Sequence, residues 1–254
     1  MGKILALSNQ KGGVGKTTTA VNLGYALAKR GVKCLICDID PQGNATTGVG
    51  VDRMDVKKST YDLLIGQGTL DEITIPTQYQ NLSIIPSKVD LAGAEVELVD
   101  LEQREHRLKE GLKTAKEKFE FTLIDCPPSL GLLTINALVA SDQVLIPIQT
   151  EYYALEGLSQ LLSTVNLIHR TLNPTLSIFG VLLTMYDERT TLSRQVASEV
   201  KKYFGDQLFQ SVIPRNVRVS EAPSYGQPIS VYDPTSKGAS SYEQLAEEVL
   251  KGGR

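Results

Sequence analysis

Short, continuously apolar runs alternate with longer stretches of helical periodicity along the whole chain. Strands are expected over KILALS (3–8), KCLICDI (33–39), LSIIP (82–86), FTLID (121–125), QVLIPI (143–148), SIFGVLLTM (177–185) and LFQSVI (208–213). These runs lack the every-other-residue alternation of a half-solvated strand. Each is therefore expected to be covered on both faces, as in a parallel sheet. Helical patterns fill 17–30, 91–118, 132–140, 154–171, 192–204 and 239–251. Strand–helix alternation implies right-handed crossovers and a doubly wound α/β fold, a mostly parallel sheet with helices on both faces. No repeat, linker or low-complexity tract breaks residues 1–254, which read as a single domain.

Composition supports this picture without naming a function. Hydrophobic residues make up 41% of the 254 positions and charged ones 22%, enough for a sizeable core and a solvated surface. The net charge of −3 carries no global signature of nucleic-acid binding, so any such activity needs a local basic patch. No stretch approaches the apolar length of a membrane helix, and MGKILALSNQ is too short for a secretory segment, so a cytoplasmic location is expected. Cys34-Leu-Ile-Cys37 spells C-x-x-C but lies inside an expected strand. Positions three apart there point to opposite faces, so core packing is the expectation rather than redox chemistry.

The chemistry begins after the first strand, at Gln10-Lys11-Gly12-Gly13-Val14-Gly15-Lys16-Thr17-Thr18. Gly15, Lys16 and Thr17 match the phosphate-loop pattern G-x-x-x-x-G-K-[ST], while Gln10 stands where its first glycine belongs. Three glycines still let the backbone curl so that successive N–H groups face an anion, and the following helix adds its dipole. Lys16 is expected to reach the β- and γ-phosphates of ATP, the Thr17 hydroxyl to ligate Mg²⁺, and Thr18 to bond the α-phosphate. Two further strand ends carry carboxylates. Asp38 and Asp40 share one face of the second strand's end, where they can hold magnesium waters or position an attacking water. Thr122-Leu123-Ile124-Asp125 forms a Walker B pattern, with Asp125 contacting the metal through water.

Lys11 is surplus to cradling phosphate, since Lys16 already does so. KGGVGKT with this early lysine is a deviant Walker A motif and resembles that of the ParA and MinD superfamily of P-loop ATPases. Further resemblance to the ParA/Soj family runs through DIDPQGNATTG, DCPPSLGLLTINAL, EYYALEGLSQLL and IPRNVRVSEAPSYGQPI, so it spans essentially the whole chain. The resemblance implies an ATPase with weak intrinsic activity, which forms a homodimer with ATP, binds double-stranded DNA non-specifically at the nucleoid, and is released by a ParB-type partner. It implies that Lys11 acts across the dimer, that Asp40 positions water with Asp38 in support, and that Pro214 and Asn216 line the adenine. It also implies phosphate contacts for Arg189 and Arg218. Between 180 and 220 six basic residues face four acidic ones, a modest local excess.

Two other readings stay open. A MinD-like regulator would carry a basic amphipathic C-terminal helix for membrane binding, whereas YEQLAEEVLKGGR carries Glu243, Glu247 and Glu248, and no membrane contact is expected. A metabolic ATPase on the same scaffold would need an extra nucleophile, redox pair or cluster beside the nucleotide. Because the chain starts directly at the strand before the loop, operator-specific repression is not expected.

Overall fold

The computed structural model describes residues 2–152 and 154–252, with backbone alone at 154–156. Seven strands form one sheet: β1 Lys3–Leu7, β2 Cys34–Asp38, β3 Ile75–Pro76, β4 Leu82–Ile85, β5 Phe121–Asp125, β6 Gln143–Gln149 and β7 Ser177–Thr184. Their order is β3-β4-β2-β5-β1-β6-β7. Every neighbouring pair is parallel except the two-residue β3, which runs antiparallel to β4 at the sheet edge. Six of the seven expected strands therefore form where the apolar runs lie.

Two apolar clusters flank the sheet. Ile4, Ala6, Leu35, Cys37 and Ile124 belong to one, and Leu5, Leu7, Cys34, Ile36 and Leu123 to the other. Both faces of β1, β2 and β5 are thus buried, which is why their sequences do not alternate. Cys34 and Cys37 fall in opposite clusters, both reduced and fully buried, and burial raises both thiols far above their ordinary pKa. The C-x-x-C spacing is core. Helices Lys16–Lys29 and Lys237–Leu250 cover one face, and Leu132–Ala140 and Ala154–Thr171 cover the other.

Two expectations are corrected. Residues 208–213 follow β7 but form no strand, making one isolated parallel bridge from Leu208 to Val181. The reason is a side chain. Phe209 and Ile213 donate to the β7 carbonyls of Val181 and Leu183 at 2.9 Å, but the Glu248 carboxylate accepts the N–H groups of Gln210 at 2.9 Å and Ser211 at 3.0 Å, and the Ser211 donor is the one a regular ladder would use between them. The expected helix over 91–118 is broken into Leu91–Glu97, a 3₁₀ turn Leu98–Asp100, Arg107–Gly111 and Ala115–Lys118. Gln103 turns left-handed (φ 52°). Asn136 then claims the freed backbone, accepting from Leu108 N at 3.1 Å and donating to Arg104 O at 2.8 Å.

The C-terminal helix bears on membrane contact. Tyr242, Leu245, Ala246 and Val249 bury its apolar face in the core. Its carboxylates are used within the fold as well, Glu243 and Glu247 pairing with Arg30 and Glu248 holding the 210–211 backbone. No helix among the described residues is long and apolar enough to cross a membrane.

The register of the central strands positions the site. Leu7 of β1 and Asp38 of β2 both pair with Asp125 of β5. The loops that leave these three strands, 8–15, 39–43 and 126–131, therefore emerge side by side at the carboxyl edge of the sheet.

Candidate nucleotide site

The phosphate loop is pinned at several points by groups outside the sequence motif. Asn9 accepts the Lys11 N–H at 3.0 Å and donates to the Pro147 carbonyl at 2.7 Å, which ties the loop to β6. Thr184, the last residue of β7, donates its hydroxyl to the Val14 carbonyl at 2.8 Å. Gly13 and Gly15 adopt left-handed φ values of 74° and 87°, where a side chain would be strained. Gly15 also caps helix Lys16–Lys29, and no side chain bonds the first-turn amides of that helix. Those amides and the helix dipole face the loop's concavity, an arrangement that receives a phosphate.

Lys16 is 6% exposed, and its ammonium donates to the Lys11 carbonyl at 3.2 Å. Burial lowers its pKa, while Asp125 and then Asp40 hold the charge on it. Asp125 is the most frustrated group nearby. It is fully buried, and neither carboxylate oxygen has a hydrogen-bond partner. Burial, then the like charge of Asp38, raises its pKa well above the usual carboxylate range. The Thr17 hydroxyl and the Lys16 ammonium act in the opposite direction, although Thr17 falls short of a normal hydrogen bond. A buried carboxylate lacking donors is what a hydrated cation would satisfy. No group of three His, Cys, Asp or Glu side chains among the described residues encloses a metal alone. Mg²⁺ keeps several waters and takes other ligands from substrate phosphates.

Asp38 differs from Asp125 in being fully engaged. One oxygen accepts the Thr46 N–H at 2.8 Å and the Thr46 hydroxyl at 2.7 Å, and the other accepts the Asp40 N–H at 3.2 Å. Burial nevertheless raises its pKa to about 6, the Thr46 bonds opposing the rise. Asp38 thereby builds the 40–46 turn. Asp40 is 7% exposed, caps Gln42 N at 2.9 Å, and is anchored through its carbonyl by the Ser87 hydroxyl at 2.6 Å. The loop that follows Asp125 ends at Gly131, where a Cβ would collide with the Glu95 carboxylate.

Lys11 is half-buried and pairs with Glu151 at 2.7 Å. Pro214 and Asn216 lie on the β7 side, in a loop fixed by Tyr186 N to Ile213 O (3.0 Å) and Arg215 N to Tyr186 O (3.1 Å). The Asn216 side-chain oxygen caps helix Val217–Glu221 by accepting Arg218 N at 2.9 Å. Pro214 and Arg189 share the wall of a cavity of about 500 Å³ with Arg215 and Lys237. Arg189 is exposed but held by both oxygens of Asp187, at 2.8 and 2.7 Å, and this pairing lowers the Asp187 pKa to about 2. Arg218 pairs with Glu221 at 3.0 Å.

The register thus brings Lys16, Thr17, Asp38, Asp40 and Asp125 to one edge, with Arg189 beside Pro214 in the adjoining cavity, while Arg218 stands in helix Val217–Glu221 between Glu221 and Asp233. The motifs assign no role to Asn9, Thr46, Ser87, Glu151 or Thr184, although Thr46 and Glu151 stand within DIDPQGNATTG and EYYALEGLSQLL. Only Asn9, polar at the end of an apolar strand, carries a local signal.

Comparison with known proteins agrees with this geometry. A family model described as an AAA domain matches residues 2–178. The sporulation initiation inhibitor protein Soj of Bacillus subtilis (strain 168) is 58% identical over 253 residues, covering 100% of both chains. The chromosome partitioning protein ParA of Myxococcus xanthus (strain DK1622) is 50% identical, covering 99% of this chain and 89% of that one. Among solved structures, cobyrinic acid a,c-diamide synthase from Mycobacterium smegmatis with bound ATP analog and magnesium superposes with a TM-score of 0.87. It is 36% identical, covering 100% of this chain and 98% of that one. With a glycine-rich loop and two strand-end carboxylates in register, and full-length identity of this order, the chain belongs to the ParA/Soj family of chromosome-partitioning P-loop ATPases.

Proposed function

We propose that this chain is an ATP-driven partitioning switch, which hydrolyses ATP to ADP and phosphate slowly on its own and faster with a ParB-type partner. The observation that carries the reading is the buried Lys16 ammonium, held over a loop of uncapped helix amides beside the partnerless carboxylate of Asp125. In this reading the loop 11–18 grips the triphosphate, and Pro214 and Asn216 line the adenine. Thr17 and Asp125 hold Mg²⁺, Asp125 through water, and Asp38 supports the turn that aims them. The metal supplies charge neutralisation on the β- and γ-phosphates. Asp40 orients the attacking water.

Lys11 reaches the γ-phosphate of a second subunit in an ATP-bound sandwich dimer. Its pair with Glu151 is partly exposed, with side chains 33% and 48% accessible, and exposed pairs of this kind exchange at little cost. The dimer joins two Arg189/Arg218 surfaces. Each phosphate they neutralise releases counterion, so doubling the contacts steepens DNA binding and its salt dependence. Asp187 and Glu221 compete for those arginines, which suits binding that is non-specific and reversible.

The amide-synthase neighbour would favour a metabolic reading, yet the partitioning relatives match at higher identity over equal length. Asp40→Ala should yield an ATP-dependent dimer that stays on DNA, read by size-exclusion chromatography and filter binding. A variant that remains monomeric with ATP would refute the sandwich.

A further inference from the structure

The segment 88–102 carries two apolar stripes, and only one is used by the fold. Leu91, Ala94 and Leu98 are buried in the core at the spacing of one helix face. A second stripe at helical spacing, Val89, Ala92, Val96 and Val99, faces solvent. Val89, Val96 and Val99 are 73%, 74% and 52% exposed, and a contiguous exposed apolar patch marks an interaction site where single exposed residues do not. The same segment carries five carboxylates, Asp90, Glu95, Glu97, Asp100 and Glu102, against Lys88 and the Arg104 guanidinium, which donates to the Val99 carbonyl at 3.1 Å. One oxygen of Glu95 is buried and has no hydrogen-bond partner. That carboxylate stands against Gly131, at the end of the loop that follows Asp125.

We infer that this acidic-rimmed stripe is the docking surface for a basic amphipathic segment of a partner protein. The apolar face of that segment covers Val89, Ala92, Val96 and Val99. Its lysine or arginine side chains meet the carboxylate rim. Charge complementarity selects this occupant. A second copy docking the same surface on itself would bring five carboxylates against five, which costs free energy at short range. An acidic segment would be repelled for the same reason. The occupant lies next to the 127–131 loop, so its arrival bears on the nucleotide site. That clause alone rests on the ATPase reading above; the docking itself does not.

The test uses the full chain and three fluorescein-labelled peptides read by anisotropy at two salt concentrations. The first places leucine and lysine on opposite helix faces, the second replaces lysine by glutamate, and the third scrambles the first. The lysine peptide should bind about tenfold more tightly than either comparator, with affinity falling as salt rises. Val89→Ser/Val96→Ser and, separately, Asp100→Asn/Glu102→Gln should each weaken it by about tenfold, while circular dichroism and the heat of Mg-ATP binding stay unchanged. Equal binding of the lysine and scrambled peptides, or undiminished binding by both variants, overturns the inference. Loss of ATP-dependent dimerisation in the valine variant with peptide binding intact also overturns it, and assigns the stripe to contact between copies. Absent Mg-ATP heat in the wild-type chain, with peptide binding as expected, would count against the ATPase reading and not against this surface.

Discussion

Asp125 is held at a cost to the fold, and Asp125→Asn exposes that cost. The carboxylate is 0% exposed, neither oxygen has a donor, and Asp38 sits beside it on the neighbouring strand. Leaving a buried charged acceptor unpaired costs about 1–3 kcal/mol or more, and the isosteric amide removes the charge without changing volume. Lys16 loses an attractive partner in exchange, which offsets part of the gain. A net stabilisation of the nucleotide-free chain by about 1–2 kcal/mol is expected, or a rise in Tm of about 2–8 °C for a domain of this size. The pH dependence follows from the direction of the shift. Burial raises the Asp125 pKa, so the folded chain holds that proton more tightly than the unfolded one. The wild type keeps its full stability below the unfolded pKa of about 4 and loses it as pH rises through the folded value. The variant's advantage should therefore be small near pH 4 and grow towards pH 8. Scanning calorimetry in a chelator, without nucleotide, measures it, and titration with Mg-ATP should show affinity lost in the same variant. An Asp125→Asn chain no more stable than wild type at pH 8 would refute the view that this carboxylate is frustrated until a cation arrives.

Two further outcomes follow from the same site. Thr46→Val removes a hydroxyl that donates to Asp38 and accepts the Ser87 N–H at 2.9 Å, which leaves a buried N–H unpaired. It should destabilise the chain by about 2–4 kcal/mol in urea denaturation. Arg218→Glu should reduce ATP-dependent DNA retention on filters and flatten its salt dependence, with the heat of ATP binding preserved.

The sequence exposes the sheet because burial on both faces writes itself as unbroken apolar runs, as in CLICD of β2 and FTLID of β5. The phosphate loop is equally legible, since its glycines, lysine and threonine are contiguous. What escaped depends on partners distant in sequence. LFQSVI has strand composition, yet Glu248, 37 residues after Ser211, takes its backbone donors. The helix expected across 91–118 yields to Asn136, whose side chain substitutes for helical hydrogen bonds at Arg104 and Leu108. Thr46 and Ser87 are ordinary loop residues in sequence, and only closure of the 40–46 turn gives them their roles at Asp38 and Asp40. Local propensity cannot anticipate such contacts.

The most direct test of the account is isothermal titration of the folded chain with ATP, in Mg²⁺ and in chelator, beside Lys16→Ala. Saturable heat that needs both the metal and Lys16 is the expected result. A properly folded wild-type chain that gives no heat with Mg-ATP, or a Lys16→Ala chain that binds as well as wild type, would contradict it.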